Sequence, residues 1–389
     1  MIFGYTLQMK KVVSDQRSEL YYMDNRSMLF ALHHMEGVGS KTIGRLVRQF
    51  PQLCDIISLS YADWLDFGLT PVRAEQMVRG LGHVTEAQLD AKRSRYKELH
   101  IEWVVLGDDR YPAMLLETAD PPWILYYRGQ LDIVNRPCIA MVGTRTPTAY
   151  GKMTAERLAE SLSAAGVCVV SGLARGIDSA AHEGALRSHG STVAVLGCSI
   201  ETVYPPENKA LYRKISECGL LLSEYPLGTR PHPGLFPQRN RIIAGLSLGV
   251  VVVEAALKSG SLITVDQALE ASRDVYAVPG PISSPKSEGT LSLLKQGAKL
   301  VTGAADILEE YAGRISLDQK AYIMNTTEAK PVLSEDEQKI VDMLQFRPLT
   351  IDELLSQSQF TFGHLHSVLI NLLMTRRIVE LPGSVYAVP

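Results

Sequence analysis

An open, doubly wound α/β sheet is the fold that the middle of this 389-residue chain predicts, and three observations carry the reading. Short apolar runs alternate with stretches of helical length from Pro137 to about Ala304. Several runs, such as Ala194-Val195-Leu196 and Val250-Val251-Val252-Val253, are apolar at successive positions, so helices cover both faces. Glycine-rich or arginine-bearing turns join the runs to helices, where an open sheet binds its ligands.

The elements follow in order. Residues 1–25 are polar and aperiodic and are expected to be loosely ordered. Residues 26–97 predict a small helical domain of sterile-alpha-motif or helix-hairpin-helix type, with Gly37-Val38-Gly39 as its first hairpin and Phe67-Gly68-Leu69-Thr70 as a weaker second. Those glycines either aim N–H groups at a phosphate or merely permit a tight turn. Residues 98–304 form the main domain. Its entry holds an apolar strand, Ile101 to Leu106, and a proline-pinned segment whose Trp123, Tyr126 and Tyr127 suit burial better than base stacking.

Strands are then expected at Cys138 to Val142, Val167 to Ser171, Thr192 to Leu196, Leu220 to Ser223, Val250 to Val253 and Val275 to Val278. Helices are expected at Thr148 to Ala165, Ile177 to Ser188, Lys209 to Glu217, Arg239 to Ser247 and Leu262 to Ser272. Residues 305–333 read as a linker, loosest over Asn325 to Pro331. Residues 334–389 give two capped helices, a third from Phe362 to Met374 and a hairpin, which together suggest a winged helix.

Composition narrows the function classes. The net charge is −3 and the pI near 6.3, so any nucleic-acid site is a local patch within a chain that has no general basic field. The five cysteines are far apart and match neither a zinc site nor a disulfide framework. No apolar run reaches membrane-span length and the first residues lack a secretory pattern, so the expected location is the cytoplasm.

Four turns describe a crest for an anionic ligand: Gly143-Thr144-Arg145, Ser171-Gly172-Leu173-Ala174-Arg175-Gly176, Phe236-Pro237-Gln238-Arg239-Asn240-Arg241 and Ser259-Gly260-Ser261. Glycine and serine leave backbone N–H groups accessible, and Arg145, Arg175, Arg239 and Arg241 can fork onto phosphate oxygens. Phe236 beside two arginines is either a stacking face for single strands or a core aromatic. The turn after the first strand lacks the dinucleotide-binding glycine pattern, and no phosphate-binding Gly-Lys-Ser/Thr loop occurs. Asp178 and His182, one helical turn apart, are a conceivable acid–base pair, although capping and packing explain them more simply.

At these residues the chain resembles the DprA/Smf family, the DNA-processing proteins of bacterial natural transformation. The resemblance runs in order through Gly143-Thr144-Arg145, Ser171 to His182, Ala194 to Cys198, Tyr204-Pro205, Phe236 to Ser247, Val253-Glu254-Ala255, Ser259 to Thr264 and Ala277 to Gly280. Val265, Ser272 and Thr290-Leu291-Ser292 depart from the family pattern. The likeness implies an extended Rossmann-like domain that binds single-stranded DNA, pairs into a homodimer, loads the RecA recombinase and displaces single-strand-binding protein. It implies no catalysis and no cofactor. Arg145 and Arg175 match the family's main DNA-contacting cations, with Gly143, Thr144, Ser171, Gly172 and Gly176 as surrounding backbone. Phe236, Arg239, Asn240, Arg241, Ser259, Gly260 and Ser261 extend that pocket.

The alternative is a nucleotide-acting enzyme of the phosphoribohydrolase, lysine-decarboxylase-like group. Those enzymes carry a Pro-Gly-Gly-x-Gly-Thr-x-x-Glu run, where this chain reads Glu254 to Leu262 without the glycines or the acid.

Overall fold

The computed structural model describes residues 23–188, 191–312, 333–374 and 377–388. The expectations for residues 1–22 and for the linker from 313 to 332 lie outside the described residues. The chain divides into two compact units, residues 1–322 and 323–389.

The first unit opens with helices α1 (Asn25–His33), α2 (Ser40–Gln49), α3 (Tyr61–Asp66), α4 (Pro71–His83) and α5 (Glu86–Glu98). Both glycine hairpins are tight turns between helices, with Gly37 at φ +79° and Gly68 at φ +88°. They pack on each other through Arg45, which lies 4.2 Å over the Phe67 ring and donates to the Phe67 carbonyl.

A nine-stranded sheet follows in the order β1-β2-β6-β5-β4-β3-β7-β8-β9. Its strands are β1 (Glu102–Val105), β2 (Ile124–Gly129), β3 (Cys138–Val142), β4 (Cys168–Ser171), β5 (Thr192–Leu196), β6 (Leu220–Ser223), β7 (Gly249–Val252), β8 (Asp274–Ala277) and β9 (Lys299–Leu300). The strands from β6 to β9 in this order are parallel, whereas β1 and β2 run antiparallel along one edge. The strand order reverses between β3 and β7, and an open α/β sheet has its crevice at such a switch point.

The parallel strands are buried at every position of β3, β4, β5, β6 and β7, which is why their sequences run apolar without alternation. One face carries α7 (Ala149–Ala164) and α8 (Ile177–Ala185), packed through Leu158, Leu162 and Ile177 onto Ile139 and Met141. The other carries α10 (Leu235–Gly245), α11 (Ser261–Glu270) and α12 (Glu288–Lys295), packed through Ile242, Val265 and Leu293 onto Ala140 and Val250. Between these lie the four-residue α6 (Ala113–Leu116) and α9 (Lys209–Cys218).

Two differences from the sequence reading have physical causes. The helix expected from Arg239 starts at Leu235, because Pro237 sits in the first turn, where its missing N–H has no helical partner to lose. Residues 304–311, assigned to the linker, form α13 (Ala304–Tyr311), whose start is fixed by the Asp306 carboxylate accepting from the Thr302 and Gly303 N–H groups. Ile307, Leu308 and Tyr311 of that short helix are buried.

The helical module and the sheet share a core. Phe30, Leu32 and Tyr96 join Tyr126, Leu196 and Leu221 in a continuous cluster. Tyr96 stacks on Tyr126 at 5.0 Å, and the Tyr126 hydroxyl lies 3.1 Å from His33 Nδ1. Tyr126 and Tyr127 are 1% and 2% exposed, so burial is what these aromatics do. The Trp123 indole donates to the Ser40 carbonyl at 3.1 Å and closes the same joint.

The second unit contains α14 (Glu335–Phe346), α15 (Ile351–Ser358) and α16 (Phe362–Met374), with a small sheet β10-β12-β11 built from Leu349–Thr350, Val379–Leu381 and Val385–Ala387. Capping boxes at Ser334/Glu337 and Thr350/Glu353 start the first two helices. Among the described residues no helix is long and apolar enough to cross a membrane.

Burial lowers His33 from 6.5 to about 3 and His34 to about 4, so both are neutral in the folded joint. The unfolded chain therefore takes up protons first as pH falls below about 6.5, and stability present above that value is lost towards pH 4. Denaturant titrations between pH 7 and 4.5 should show a loss of about 1.4 kcal/mol per histidine for each pH unit below 6.5. Replacing both histidines by glutamine should flatten that slope.

Candidate nucleic-acid interface

The crevice at the switch point is a cleft of about 550 Å³. Its walls come from the turn after β3, the start of α10 and the start of α11, with Gly143, Thr144, Arg145, Phe236, Asn240 and Ser259 to Ser261 among the lining residues. A second groove shares Arg145, Ala174, Tyr204, Phe236 and Arg239 with the cleft and adds Gly172 and Arg175. Arg145 and Arg175 thus border one groove, not opposite sides of the molecule.

Close backbone contacts hold the turns in place. Gly176 has φ +79°, and a Cβ there would sit 2.4 Å from the Thr144 carbonyl oxygen and 2.7 Å from the Arg145 carbonyl carbon. The Thr144 carbonyl accepts from Ile177 N–H at 3.2 Å, while the Thr144 N–H donates to the Glu254 carbonyl at 2.8 Å. Gly143 is confined likewise, since a Cβ would lie 2.7 Å from Ile177 Cγ1. The Glu254 carboxylate accepts from the Thr148 N–H at 2.8 Å and from its hydroxyl at 2.5 Å, which fixes the start of α7.

The loop after β4 is fastened from beneath. The Asp178 carboxylate accepts from the Gly172 and Ala174 N–H groups at 3.1 and 3.4 Å, and its burial raises its pKa against the opposing effect of Arg239. His182 Nε2 accepts from the Leu173 N–H at 3.3 Å, which leaves Nδ1 to donate to Thr192 Oγ1 at 2.7 Å. The threonine hydroxyl in turn donates to the Val169 carbonyl at 2.7 Å. Burial lowers His182 to about 3, so this ring is a neutral bracket with both nitrogens engaged. Asn208 Nδ2 completes the clamp by donating to the Leu173 carbonyl and to Ser179 Oγ, each at 2.9 Å.

The predicted site residues divide by where this scaffold puts them. Arg145 is exposed, with its guanidinium 5.7 Å from the Phe236 ring centroid. Phe236 is half-buried and stacks on Tyr204 at 5.4 Å with 29° between the rings. Asn240 lines the cleft, and at its far wall Ser259 Oγ and Ser261 Oγ lie 2.7 Å apart beside Gly260, around which there is open space. Arg175 is exposed and forks onto Glu207.

Three residues are placed differently from the expected crest. Ser171 is buried and donates to the Met141 carbonyl at 2.6 Å, so its hydroxyl belongs to the sheet. Arg239 is 4% exposed, behind Gly172, and donates through Nη1 to the Val195 carbonyl at 2.8 Å. A Cβ on Gly172 would overlap that guanidinium, which gives this glycine a packing role as well. Arg241 bonds to Glu224 and to the Asp120 carbonyl, each at 2.5 Å, and does not line the cleft. Helix periodicity explains the split, because once α10 begins at Leu235, residues 236 and 240 share a face that 239 and 241 do not occupy in common.

Tyr204 and Asn208 were not singled out as site residues from the sequence. The signal available for them was the Tyr204-Pro205 step, which bends the chain back after β5, and the bond there is cis.

The model of DNA recombination-mediator protein A matches residues 102–312, more than half of the chain. The chain belongs to this family. The DprA winged helix domain matches residues 324–384 in the second unit. Among curated relatives, Protein Smf of Synechocystis sp. is 33% identical over 349 residues, covering 79% of this chain and 88% of its own length. DNA processing protein DprA of Streptococcus pneumoniae is 47% identical over 204 residues, covering 52% of this chain and 72% of its own. The X-ray structure of that pneumococcal DprA superposes with a TM-score of 0.65 at 36% identity, over 74% of this chain and 99% of that one. Helicobacter pylori DNA processing protein A, whose solved structure concerns single-stranded DNA binding, gives a TM-score of 0.50 at 32% identity, over 55% of this chain and 97% of that one.

The Gly176 contact is open to a direct test. Gly176→Ala combines a left-handed backbone with a clash against a main-chain carbonyl, and should lower unfolding free energy by at least about 1 to 3 kcal/mol in denaturant titrations. Gly260→Ala, facing open space, should cost less than about 1 kcal/mol.

Proposed function

We propose that this protein is a single-stranded-DNA-binding recombination mediator of the cytoplasm. In this reading it protects incoming strands and loads a RecA-type recombinase during natural transformation. The observation that carries the reading is the rim where exposed Arg145 stands over the Phe236–Tyr204 stack, with Arg175 on the same groove. Guanidinium groups beside aromatic faces hold a strand by its phosphates and bases without reading sequence. The glycine turns let the backbone approach, and the open wall at Gly260 leaves room for a chain that passes through. The named single-strand binding of the Helicobacter pylori relative supports the same assignment.

The partners proposed with this role are the recombinase, single-strand-binding protein and a second copy of the chain joined through the sheet domain. Gly143, Thr144, Asn240, Ser259, Gly260 and Ser261 are proposed as backbone and polar contacts to the strand. Ser171, Gly172, Gly176 and Arg239 support the contact from behind, and Arg241 braces the entry of β2. The role is proposed to be non-catalytic, because Asp178, His182, Glu224 and Glu254 are each engaged in holding loops or helices.

Gel shifts with labelled oligothymidylate should show Arg145→Ala with Arg175→Ala weakening binding at least about a hundredfold at low salt. The slope of log K against log salt should fall by about 1.4, or about 0.7 for each lost phosphate contact. Phe236→Ala alone should cost about 1 to 3 kcal/mol while leaving the salt slope unchanged. A folded double-arginine variant that binds like the parent would falsify the assignment.

A further inference from the structure

The chain between β5 and α9 sends three consecutive functions to the rim. Tyr204 stacks on Phe236, Asn208 ties down the loop after β4, and Glu207 between them meets Arg175. One carboxylate oxygen, Glu207 Oε1, accepts from both Arg175 Nε at 3.0 Å and Arg175 Nη2 at 2.5 Å. This is the fork by which a guanidinium grips a phosphate, presented to a carboxylate of the same chain.

Both side chains are more than half exposed, at 55% and 58%, so the pair stands in water at the edge of the groove. An ion pair in that setting is weak and open to competition. The carboxylate is held below the usual range by its own backbone N–H and then by Arg175, and it is ionised at neutral pH. The loop's backbone is anchored separately, by Asn208, Asp178 and His182, so the carboxylate is not needed to shape it.

We propose that Glu207 is an internal stand-in for a strand phosphate, occupying Arg175 in the free protein and displaced when DNA backbone arrives. The proposal rests on the single-strand reading of this rim. Two consequences follow from charge alone. Arg175 contributes less to first contact than Arg145, whose guanidinium faces only the Phe236 ring among the contacts described for it. A strand gains from Arg175 only after it has also displaced an anion, so binding is weaker and less salt-dependent than two free arginines would make it.

The test is a four-protein cycle on the full chain: parent, Glu207→Gln, Arg175→Ala and the double variant, titrated into labelled oligothymidylate by fluorescence anisotropy at several salt concentrations. Glu207→Gln should bind about two- to fivefold tighter at low salt, with a salt slope steeper by about 0.7. In the Arg175→Ala background the same substitution should change nothing. An equal gain in that background would mean that a negative charge anywhere on the rim repels the strand, and would overturn the proposal. So would a Glu207→Gln protein that binds no tighter than the parent while Arg175→Ala binds more weakly. If Arg175→Ala itself binds as the parent does, the single-strand reading at Arg175 fails, and the gate with it.

Discussion

The carbonyl of Thr144 rests against the α-carbon of Gly176 at a separation that no side chain would allow, and the rim depends on this contact. It joins the turn after β3 to the turn after β4, strands that are neighbours in the sheet. Had either turn needed room for a Cβ, the loops would part and the two exposed arginines would leave their common groove. The same economy recurs at Gly143 against Ile177 and at Gly172 against Arg239. Small residues here bring two polypeptide loops together, and this is a constraint on the protein before it is an invitation to a ligand.

Beneath the rim, residues that look catalytic in a sequence are fasteners. His182 is neutral because burial makes the charged ring too costly, and its two nitrogens bridge a loop N–H to a threonine hydroxyl. Asp178 gathers two backbone N–H groups of the loop it precedes in space. Arg239 is a buried cation whose Nε has no partner among the described contacts and whose Nη1 serves a strand carbonyl. The chemistry offered to a ligand is confined to what remains exposed: two guanidinium groups, an aromatic pair and the serine-flanked glycine.

Much of this was legible in advance, for reasons that differ by residue. Four-residue apolar runs buried on both faces announce parallel strands, so Cys138 to Val142, Thr192 to Leu196 and Leu220 to Ser223 match the observed strands residue for residue. Arg145 and Arg175 were legible because glycine turns can only lie at the ends of such strands. Arg239 and Arg241 were harder, since the sequence treats Phe236 to Arg241 as one turn, while the helix starting at Leu235 sends these side chains to separate surroundings. Ser171 reads as a phosphate contact by its neighbours, but as the last residue of β4 it points a hydroxyl at a strand carbonyl. Tyr204 gave no periodic signal at all, because its place beside Phe236 is made by folding a long connection back over the sheet. The second unit was readable from its capping pairs, whose acids bond N–H groups three residues earlier whatever they pack against.

The tyrosine joint between the helical module and the sheet has a mechanical side. The Tyr96 hydroxyl donates to His34 Nε2 at 2.8 Å and accepts from the Leu227 N–H at 3.0 Å, in the stretch that leads from β6 into the helix bearing Phe236. Helices before the sheet and aromatics on its rim are therefore gripped by one phenol. Whatever pulls on the amino-terminal helices also tugs at the floor on which a strand would lie, so handling and release share a lever.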